Sequence, residues 1–423
     1  MSLFTTRRFV PLFITQFLGA LNDNLLKNAL VMLITYRLAD TVENPEFLVT
    51  LAAGIFMLPF FLFSATAGEL ADKYDRAKLT HIIKLFEIGI ALVASAGFYL
   101  SNVTLLMITL FCMGVHSTFF GPIKYALLPQ HLHDDELLSG NGYIESGTFL
   151  AILLGAILGG LLIMQDDGVI LISALIFFVA AMGYASSRFI PEAPAPDASL
   201  VITRNIWRAT WEVLAFSRGD KGIFFCILGI SWFWLVGAAF VAQFPNYTKV
   251  NLGGDETVVT LLLATFSIGI AIGSAMCSGL LKGRITARYV PLAALGISLA
   301  IVDLYFASDV AAKQSEALVG AWAFLQQGGW RIVGDLFFLA VSGGIYVVPL
   351  YALMQHESEP AHRARVIAAN NIMNALFMVA SSVGTLVLLQ MAFSVPEIFL
   401  LLAIITALVA YGLKCQIKTG IIS

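Results

Sequence analysis

Long apolar segments recur along the whole chain, separated by short stretches that contain proline, glycine or charged residues. Each is close to or above the roughly 20 residues that an α-helix needs to cross the hydrocarbon core of a bilayer. The ten-residue alternation typical of a transmembrane β-barrel is missing, so the segments predict helices. The predicted fold is therefore all-α, a polytopic membrane protein with twelve transmembrane helices. The twelve segments are 9–36, 47–70, 79–100, 103–128, 137–164, 168–190, 222–248, 257–282, 289–307, 331–354, 366–391 and 396–414.

The composition agrees with a membrane protein and excludes other classes. Of 423 residues, 59% are hydrophobic and 12% are charged, whereas a soluble domain carries roughly 25% charged residues. A soluble fold and a disordered chain are both excluded. The net charge of −3 does not favour a nucleic-acid partner, and the four cysteines lack the spacing of a disulfide framework or a metal site. We expect no metal, no cofactor and no catalytic residues.

Lysine and arginine residues indicate how the helices are oriented, because they are enriched in cytoplasmic loops. With the N-terminus placed in the cytoplasm, 17 of the 24 basic residues fall in cytoplasmic segments and four fall in outer segments. The remaining three, Lys27, Lys84 and Lys124, lie within predicted helices. A missed helix would invert every later loop, so this distribution supports twelve helices with both termini in the cytoplasm.

The chain divides into two similar halves, 1–190 and 222–423, on either side of a polar linker at 191–221. A short segment at the end of the second helix, Gly68-Glu-Leu70, corresponds to Gly279-Leu-Leu281 in the second half. We therefore predict two pseudo-symmetric six-helix halves, and repeats of this kind place a substrate site near the bilayer midplane. The linker contains tryptophans four positions apart beside arginines. This pattern fits either a helix lying at the inner membrane interface or an ordinary connecting helix.

A cluster of charges lies between predicted helices 2 and 3, where Gly68 is followed by Asp72, Lys73 and Arg76. The glycine permits a tight cytoplasmic turn, and an acid beside cations at a helix end can form a latch that holds the halves closed. The segment resembles the signature loop of the major facilitator superfamily, with two departures, at its second glycine and at one basic position. The copy in the second half has lost its acid, so a second latch is expected to be weaker or absent.

Predicted helix 1 carries the richest set of polar residues inside the bilayer. Asp23 and Lys27 are four residues apart, so they share a helix face and partly neutralise each other. Polar side chains inside a bilayer are costly and must face protein or water. Two interpretations stay open, a cavity-lining binding site, which the asparagines favour, and a structural ion pair that fixes helix 1. The polar residues of this helix are Gln16, Asn22, Asp23, Asn24, Lys27 and Asn28.

Other polar residues lie within helices 3 and 4. Lys84 and Glu87 are three positions apart and predict a structural pair. Lys124 is either a substrate contact or a partner of the latch loop, and His116 predicts a hydrogen-bonded helix contact. Helix 7 presents Trp232-Phe-Trp234 where the repeat alignment places the charges of helix 1. A charged wall in one half and an aromatic wall in the other favour an amphiphilic substrate over a sugar.

Three segments, Gln16–Asn24, Gly121–Ala126 and Asn141–Glu145, are similar to those of the bacterial lysophospholipid transporter family of the major facilitator superfamily. The resemblance covers essentially the whole chain. It implies a transporter rather than an enzyme, moving lysophospholipids, chiefly lysophosphatidylethanolamine, from the outer to the inner leaflet of the bacterial inner membrane by alternating access. It also implies a partner acyltransferase with an acyl-carrier-protein synthetase, separate or fused, that re-acylates the lipid. We expect no acyltransferase within these 423 residues.

The resemblance also implies roles for individual residues. Asp23 and Asn24 become head-group contacts, with Asp23 suited to the ethanolamine ammonium and Lys124 to the phosphate. Helix 7 lacks the cation of stand-alone family members, and Lys27 is the candidate to supply that charge. Glu145 matches the family segment without an assigned role. The predicted substrate-binding set is Asp23, Asn24, Lys27, Asn28, Lys124, Glu145, Trp232 and Trp234, and the predicted latch is Gly68, Asp72, Lys73 and Arg76.

Two other functions stay open at this point. One is a proton-coupled efflux transporter of amphiphilic drugs, with Asp23 and Glu145 as proton carriers. The other is a non-transporting membrane anchor for an acyltransferase, in which the helix 1 charges are structural. The sequence leaves open the head-group preference, the energy source, the oligomeric state and the role of 308–330.

Overall fold

The structure is a computed structural model that describes residues 3–38, 44–311 and 318–421. Within these ranges the chain is almost entirely helical, with one isolated bridge between Gly254 and Val319. The described α-helices are α1 (Val10–Met32), α2 (Pro45–Lys73), α3 (Arg76–Tyr99), α4 (Val103–His131), α5 (Asp134–Ile163), α6 (Gly168–Ser187), α7 (Ile206–Gly219), α8 (Lys221–Asn246), α9 (Glu256–Leu281), α10 (Val290–Ala311), α11 (Ala321–Phe324), α12 (Trp330–Glu357), α13 (Arg363–Gln390) and α14 (Val395–Lys418).

Eleven of the described helices are long and apolar enough to cross a bilayer. α1 spans 23 residues, which is a sufficient length, but its amide and charged side chains lower its hydropathy. α7 and α11 have 14 and 4 residues, which is too few for a span. The predicted all-α fold with twelve transmembrane helices is therefore confirmed, with α1 as its most polar member.

Helices α4 and α5 extend beyond the predicted segments. α4 continues through two internal prolines to His131, since a membrane helix tolerates proline where its surroundings satisfy the freed backbone groups. α5 begins at Asp134, where His133 and Glu136 form a reciprocal capping box. The acidic side chains of the first turn also suit the positive end of the helix dipole. Polar residues outside the predicted transmembrane segments therefore form the ends of these two helices.

The described residues form two compact units, and each is considered separately. Unit 1 comprises the described residues up to Gly140, together with Leu150–Gly219 and Ser358–Ile372. Unit 2 comprises Asn141–Phe149, the described residues of Asp220–Glu357 and those from Met373 onward. The first turns of α13 thus belong to unit 1, although they come from the second half of the sequence.

In unit 1, α1, α3, α4 and α6 pack around a core of leucine, isoleucine and alanine side chains, and α2 packs against α4. Gly155 and Gly159 of α5 lie directly against α1. A Cβ at Gly155 would lie 2.6 Å from the Asn24 Cβ, and a Cβ at Gly159 would lie 2.7 Å from the Leu25 carbonyl oxygen. Small residues therefore permit the close packing of these membrane helices.

In unit 2, α12 packs against α8, α9 and α10, and α10 also packs against α14. The close approach of α9 and α12 depends on glycine, because a Cβ at Gly344 would collide with the Ser274 backbone nitrogen. Phe240 of α8 and Phe399 of α14 stack with their ring centroids 4.0 Å apart. These contacts give unit 2 a largely apolar interior.

The helix of the linker, α7, is amphipathic and lies against α2. Its Ala209 and Val213 are buried, whereas Trp207 and Trp211 are 64% and 65% exposed. The Trp207 ring also approaches Phe61 of α2, with centroids 6.1 Å apart. One face on a transmembrane helix and two exposed tryptophans are features of an interfacial helix. That interpretation stays a prediction.

Candidate functional site

Side chains of α1, α3 and α4 form a buried hydrogen-bonded network in unit 1, which we call the polar cluster. Glu87 lies at its centre. Lys84 Nζ donates to Glu87 Oε2 at 2.8 Å, the Asn22 amide donates to Oε1 at 2.9 Å, and His116 Nε2 lies 3.3 Å from Oε2. The predicted pair of Lys84 and Glu87 is thus present, but it belongs to a larger set. The members of the polar cluster are Asn22, Asp23, Lys84, Glu87, His116 and Ser117.

The packing around Lys84 explains how a charged pair is accommodated at full burial. Lys84 Nζ lies opposite Gly19 of α1, where an added Cβ would come within 2.5 Å of it. The ammonium also lies 4.8 Å from the centroid of the Phe120 ring, a distance that allows a cation–π contact. A buried ion pair is stable only when its remaining hydrogen-bonding groups are satisfied. Asn22 supplies such a hydrogen bond for Glu87, and His116 Nε2 lies within ion-pair distance of it.

Asp23 and Lys27 carry opposite charges on one face of α1, and neither has a complete set of partners. The Ser117 hydroxyl donates to Asp23 Oδ2 at 2.6 Å, while the buried Oδ1 has no hydrogen-bond partner among the described residues. Lys27 Nζ lies 5.8 Å from the centroid of the Phe56 ring, and within the described ranges it makes no hydrogen bond or ion pair. Unsatisfied charges inside a membrane protein are candidates for ligand contact.

Asn24 and Asn28 donate hydrogen bonds within their own helix. The Asn24 amide donates to the Ala20 carbonyl at 2.9 Å, and the Asn28 amide donates to the Asn24 carbonyl at 2.8 Å. The Asn24 Cβ also packs against Gly155 of α5. The structure therefore gives both asparagines a local role in α1, and their predicted contact with substrate stays a prediction.

Lys124 and Glu145 lie in different units. Lys124 belongs to α4 in unit 1, where its Nζ lies 4.7 Å from the Tyr125 ring centroid. Glu145 is fully buried on the part of α5 that belongs to unit 2. One turn earlier on α5, Asn141 and Gln355 of α12 exchange two hydrogen bonds of 2.8 Å. Their reciprocal geometry anchors this part of α5 to α12.

Trp232 and Trp234 of α8 contact different helices in unit 2. The Trp232 indole donates to the Thr406 hydroxyl of α14, and the Trp234 indole donates to the Tyr351 hydroxyl of α12, both at 3.1 Å. The Trp234 ring stacks on Phe149 at 6.0 Å. The two side chains do not form the single aromatic wall that the sequence suggested, because positions two apart on a helix point in different directions.

An apolar pocket lies beside Trp232. It is small and partly open. Its lining side chains are mostly aliphatic or aromatic. The pocket is lined by Trp232, Phe233, Val236, Gly237, Phe266, Ile270, Ile297, Leu339, Ala340, Gly343, Tyr346 and Thr406.

The predicted latch residue Asp72 is fully buried and binds the start of α13 within unit 1. Its Oδ1 accepts bonds from Arg76 Nη2 at 2.9 Å and from the Ala364 backbone N–H at 3.1 Å. Its Oδ2 accepts bonds from the Arg365 backbone N–H at 3.2 Å and from Arg365 Nε at 3.1 Å. Asp72 therefore caps α13, because the first N–H groups of a helix have no partner within it. The carboxylate also lies at the positive end of the helix dipole.

Arg76 and Gly68 complete this site, and Lys73 does not join it. Arg76 Nη1 donates to the Gln130 side chain at 2.9 Å. Gly68 lies against α13, where a Cβ would be 2.8 Å from the Ala368 Cβ. The Lys73 ammonium instead lies 5.8 Å from the Tyr74 ring centroid, and it makes no ion pair among the described residues.

The linker also contributes to this site, which sequence reasoning missed. The Asp197 backbone N–H donates to the Asp72 carbonyl at 3.0 Å, and the Arg76 N–H donates to the Ala193 carbonyl at 3.0 Å. The Asp197 carboxylate lies 4.0 Å from Arg365 Nη2. A hydrogen bond from the Ser199 hydroxyl holds the pKa of Asp197 below its ordinary value, so this group stays charged beside Arg365.

Comparison with known proteins agrees with this architecture. The family model described as Major Facilitator Superfamily matches residues 12–382. The human organic anion transporter MFSD10 (TETRAN) superposes with a TM-score of 0.72 at 14% identity, covering 96% of this chain and 98% of that one. A variant of the E. coli fucose:proton symporter FucP superposes with a TM-score of 0.70 at 12% identity, covering 95% and 97%. At these identities the likeness concerns the fold.

Relatives are similar in sequence as well. The lysophospholipid transporter LplT of Serratia proteamaculans (strain 568) is 26% identical over 371 residues, which is 87% of this chain and 85% of that protein. LplT of Salmonella heidelberg (strain SL476) is 27% identical over 375 residues, or 87% and 84%. The resemblance stated from the sequence is therefore confirmed over most of the chain. The chain is a transporter rather than an enzyme, and it belongs to the Major Facilitator Superfamily.

Proposed function

We propose that this protein moves lysophospholipids from the outer to the inner leaflet of the bacterial inner membrane by alternating access. The observation that carries the proposal is the pair of incompletely partnered charges on α1, Asp23 Oδ1 and Lys27 Nζ. The sequence similarity to proteins named lysophospholipid transporter supports the substrate class.

A zwitterionic head group complements these two charges. An ammonium group would bind Asp23 Oδ1 and a phosphate would bind Lys27, so both groups would gain charge-assisted hydrogen bonds. Such bonds offset the free energy of removing the charges from water, and an uncharged sugar does not supply them. Lysophosphatidylethanolamine carries both groups and is the substrate we propose. Further head-group contacts are proposed at Asn24, Asn28, Lys124 and Glu145.

The acyl chain needs an apolar route, and we propose that aromatic side chains of α8 line it. Trp232 borders the apolar pocket of unit 2, which suits hydrocarbon. Trp234 stacks on Phe149 and offers a second apolar surface. Because the two indoles contact different helices, we propose that they contact different stretches of the substrate.

Alternating access requires a reversible contact on the cytoplasmic side, and we propose the Asp72 site for this role. Asp72 holds α2 to the start of α13 through three hydrogen bonds, from the Ala364 N–H, the Arg365 N–H and Arg365 Nε, and a fourth bond joins it to Arg76 of α3. Releasing them would separate these helices. Gly68 permits the approach, and Lys73 is proposed to act by its charge alone.

The product of this transport would be available to an acyltransferase with an acyl-carrier-protein synthetase, separate or fused. We propose these enzymes as partners, with both termini of the transporter in the cytoplasm. The 17 basic residues on the cytoplasmic side of the predicted topology support this orientation.

The test is uptake of radiolabelled lysophosphatidylethanolamine into proteoliposomes by the wild type and by Asp23→Asn and Lys27→Met. Each variant removes one proposed charge–head-group bond, and a hydrogen bond to a charged group contributes about 1.5–3 kcal/mol. Apparent KM should therefore rise by about 10- to 150-fold. The exposed Asp166 and Lys414 provide the matched controls Asp166→Asn and Lys414→Met, which should behave as the wild type.

Three results would contradict the proposal. Wild-type protein that moves amphiphilic drugs outward along a proton gradient, and no lysophospholipid, would establish the efflux function instead. Wild-type uptake by both charge variants would remove Asp23 and Lys27 from the head-group site. Absence of any transport would favour the non-transporting anchor.

A further inference from the structure

A continuous path of polar contacts leads from the centre of the polar cluster to Asp23. His116 Nε2 lies 3.3 Å from Glu87 Oε2, and His116 Nδ1 lies 3.4 Å from Ser117 Oγ. The Ser117 hydroxyl donates to Asp23 Oδ2 at 2.6 Å. The path connects α3, α4 and α1 within unit 1. Ser117 is therefore the one described side chain that joins Asp23 directly to the cluster by a hydrogen bond.

The hydrogen bond from Ser117 determines which carboxylate oxygen of Asp23 has no hydrogen-bond partner within the described ranges. The terminal torsion of an aspartate side chain is broad and has no strong preference of its own. A charge-assisted O–H···O⁻ bond as short as 2.6 Å fixes that torsion. Oδ2 is held by Ser117, and Oδ1 is the oxygen that has no partner among the described residues.

The rest of the path is rigid enough to hold Ser117 in place. Glu87 is fixed by Lys84 and Asn22 at 2.8 and 2.9 Å, and His116 is 1% exposed in contact with it. A fully buried, multiply bonded carboxylate cannot reorient without breaking several contacts. Contact with Glu87 of α3 thus restricts the movement of the His116 ring, which lies next to Ser117.

We propose that Ser117 is a positioning residue that orients the Asp23 carboxylate for the ammonium of the substrate. His116, which lies between Ser117 and Glu87, restricts the movement of Ser117. This inference rests on the proposed function. Ser117 does not contact the substrate. Its effect reaches the head group only through Asp23, and this sets it apart from the binding residues named above.

The test compares Ser117→Ala with Ser117→Thr, which retains the hydroxyl. Ser117→Ala should raise the apparent KM for lysophosphatidylethanolamine by about tenfold, as expected for one lost hydrogen bond, with little change in kcat. Ser117→Thr should recover most of the affinity. Circular dichroism and size-exclusion profiles of the purified variants establish that each is folded.

A double-mutant cycle on the Kd of purified protein for the same lipid separates positioning from a general structural effect. If Ser117 acts through Asp23, the Ser117→Ala change should weaken binding in the wild type but not in Asp23→Asn. Equal weakening in both backgrounds would overturn the inference, as would wild-type KM in folded Ser117→Ala. If Asp23→Asn impairs uptake and Ser117→Ala does not, the proposed function survives and this inference fails. If the wild type neither binds nor transports the lipid, both fail.

Discussion

The contact between Gly68 and α13 offers a direct way to perturb the Asp72 site without touching a charge. In Gly68→Ala, the new Cβ would lie 2.8 Å from the Ala368 Cβ and 2.9 Å from the Ala364 carbonyl oxygen. Carbon atoms prefer about 3.5–4.0 Å, so the start of α13 must move by about 1 Å. The Asp72 bonds to the Ala364 and Arg365 N–H groups, at 3.1 and 3.2 Å, would then exceed hydrogen-bond length.

The size of the effect follows from these contacts. Overpacking by one methyl group costs about 1–3 kcal/mol, and the free energy acts only in the state in which α2 and α13 are in contact. The equilibrium between contact and separation should therefore move by about 5- to 150-fold toward separation. If exchange between the two states limits transport, the turnover number should change while substrate affinity stays within a few-fold.

Spin labels at Tyr74 and Glu359, both exposed, would measure this equilibrium by pulsed dipolar spectroscopy. The exposed label sites lie at the end of α2 and just before α13, and Cys112 and Cys415 would be replaced first. Gly54→Ala is the matched control, because nothing lies within 4 Å of a Cβ there. A longer distance in Gly68→Ala alone is expected. Identical distance distributions in both variants would refute the steric reasoning.

Three further outcomes are expected. Gly19→Ala should disrupt the polar cluster, because its Cβ would lie 2.5 Å from Lys84 Nζ; thermal unfolding should show a clear loss of stability, while Gly89→Ala, which has open space around it, should show little. Removing either partner of the reciprocal pair Asn141 and Gln355 should destabilise the protein by about 1–3 kcal/mol, and the double alanine variant should be little worse than the single ones, as a denaturation cycle would show. Changing both exposed tryptophans of α7 to serine should reduce fluorescence quenching by lipids brominated near the head group if α7 lies at the membrane interface, whereas a connecting helix predicts that these two tryptophans contribute no quenching.

The sequence predicted features whose physical cause lies in single residues. Charges inside a bilayer are costly wherever they occur, so Asp23 and Lys27 stand out without any structure. Asp72 stands out because an acid among cations at a helix end is not explained by the orientation of loops. The fold follows from the length and spacing of apolar segments, and the structure confirms it.

What the sequence could not predict depends on helix rotation and on distant neighbours. Ser117 lies 94 positions from Asp23, and Glu87 lies 65 positions from Asn22, so no local pattern links them. The different directions of Trp232 and Trp234, in contrast, could have been predicted from the sequence. Helical periodicity already separates positions two apart, and this signal was available in the sequence.

The hydrogen bonds of Asp72 imply that the residues of α2 and α13 at this site differ in how well they tolerate substitution. Two of its partners are backbone N–H groups, at Ala364 and Arg365, and every residue except proline carries such a group. Side chains on α13 can therefore vary while half of these bonds remain. On α2 the acceptor is a side-chain carboxylate, which most substitutions of Asp72 would remove. Random mutagenesis should accordingly recover functional variants at 365 more often than at Asp72.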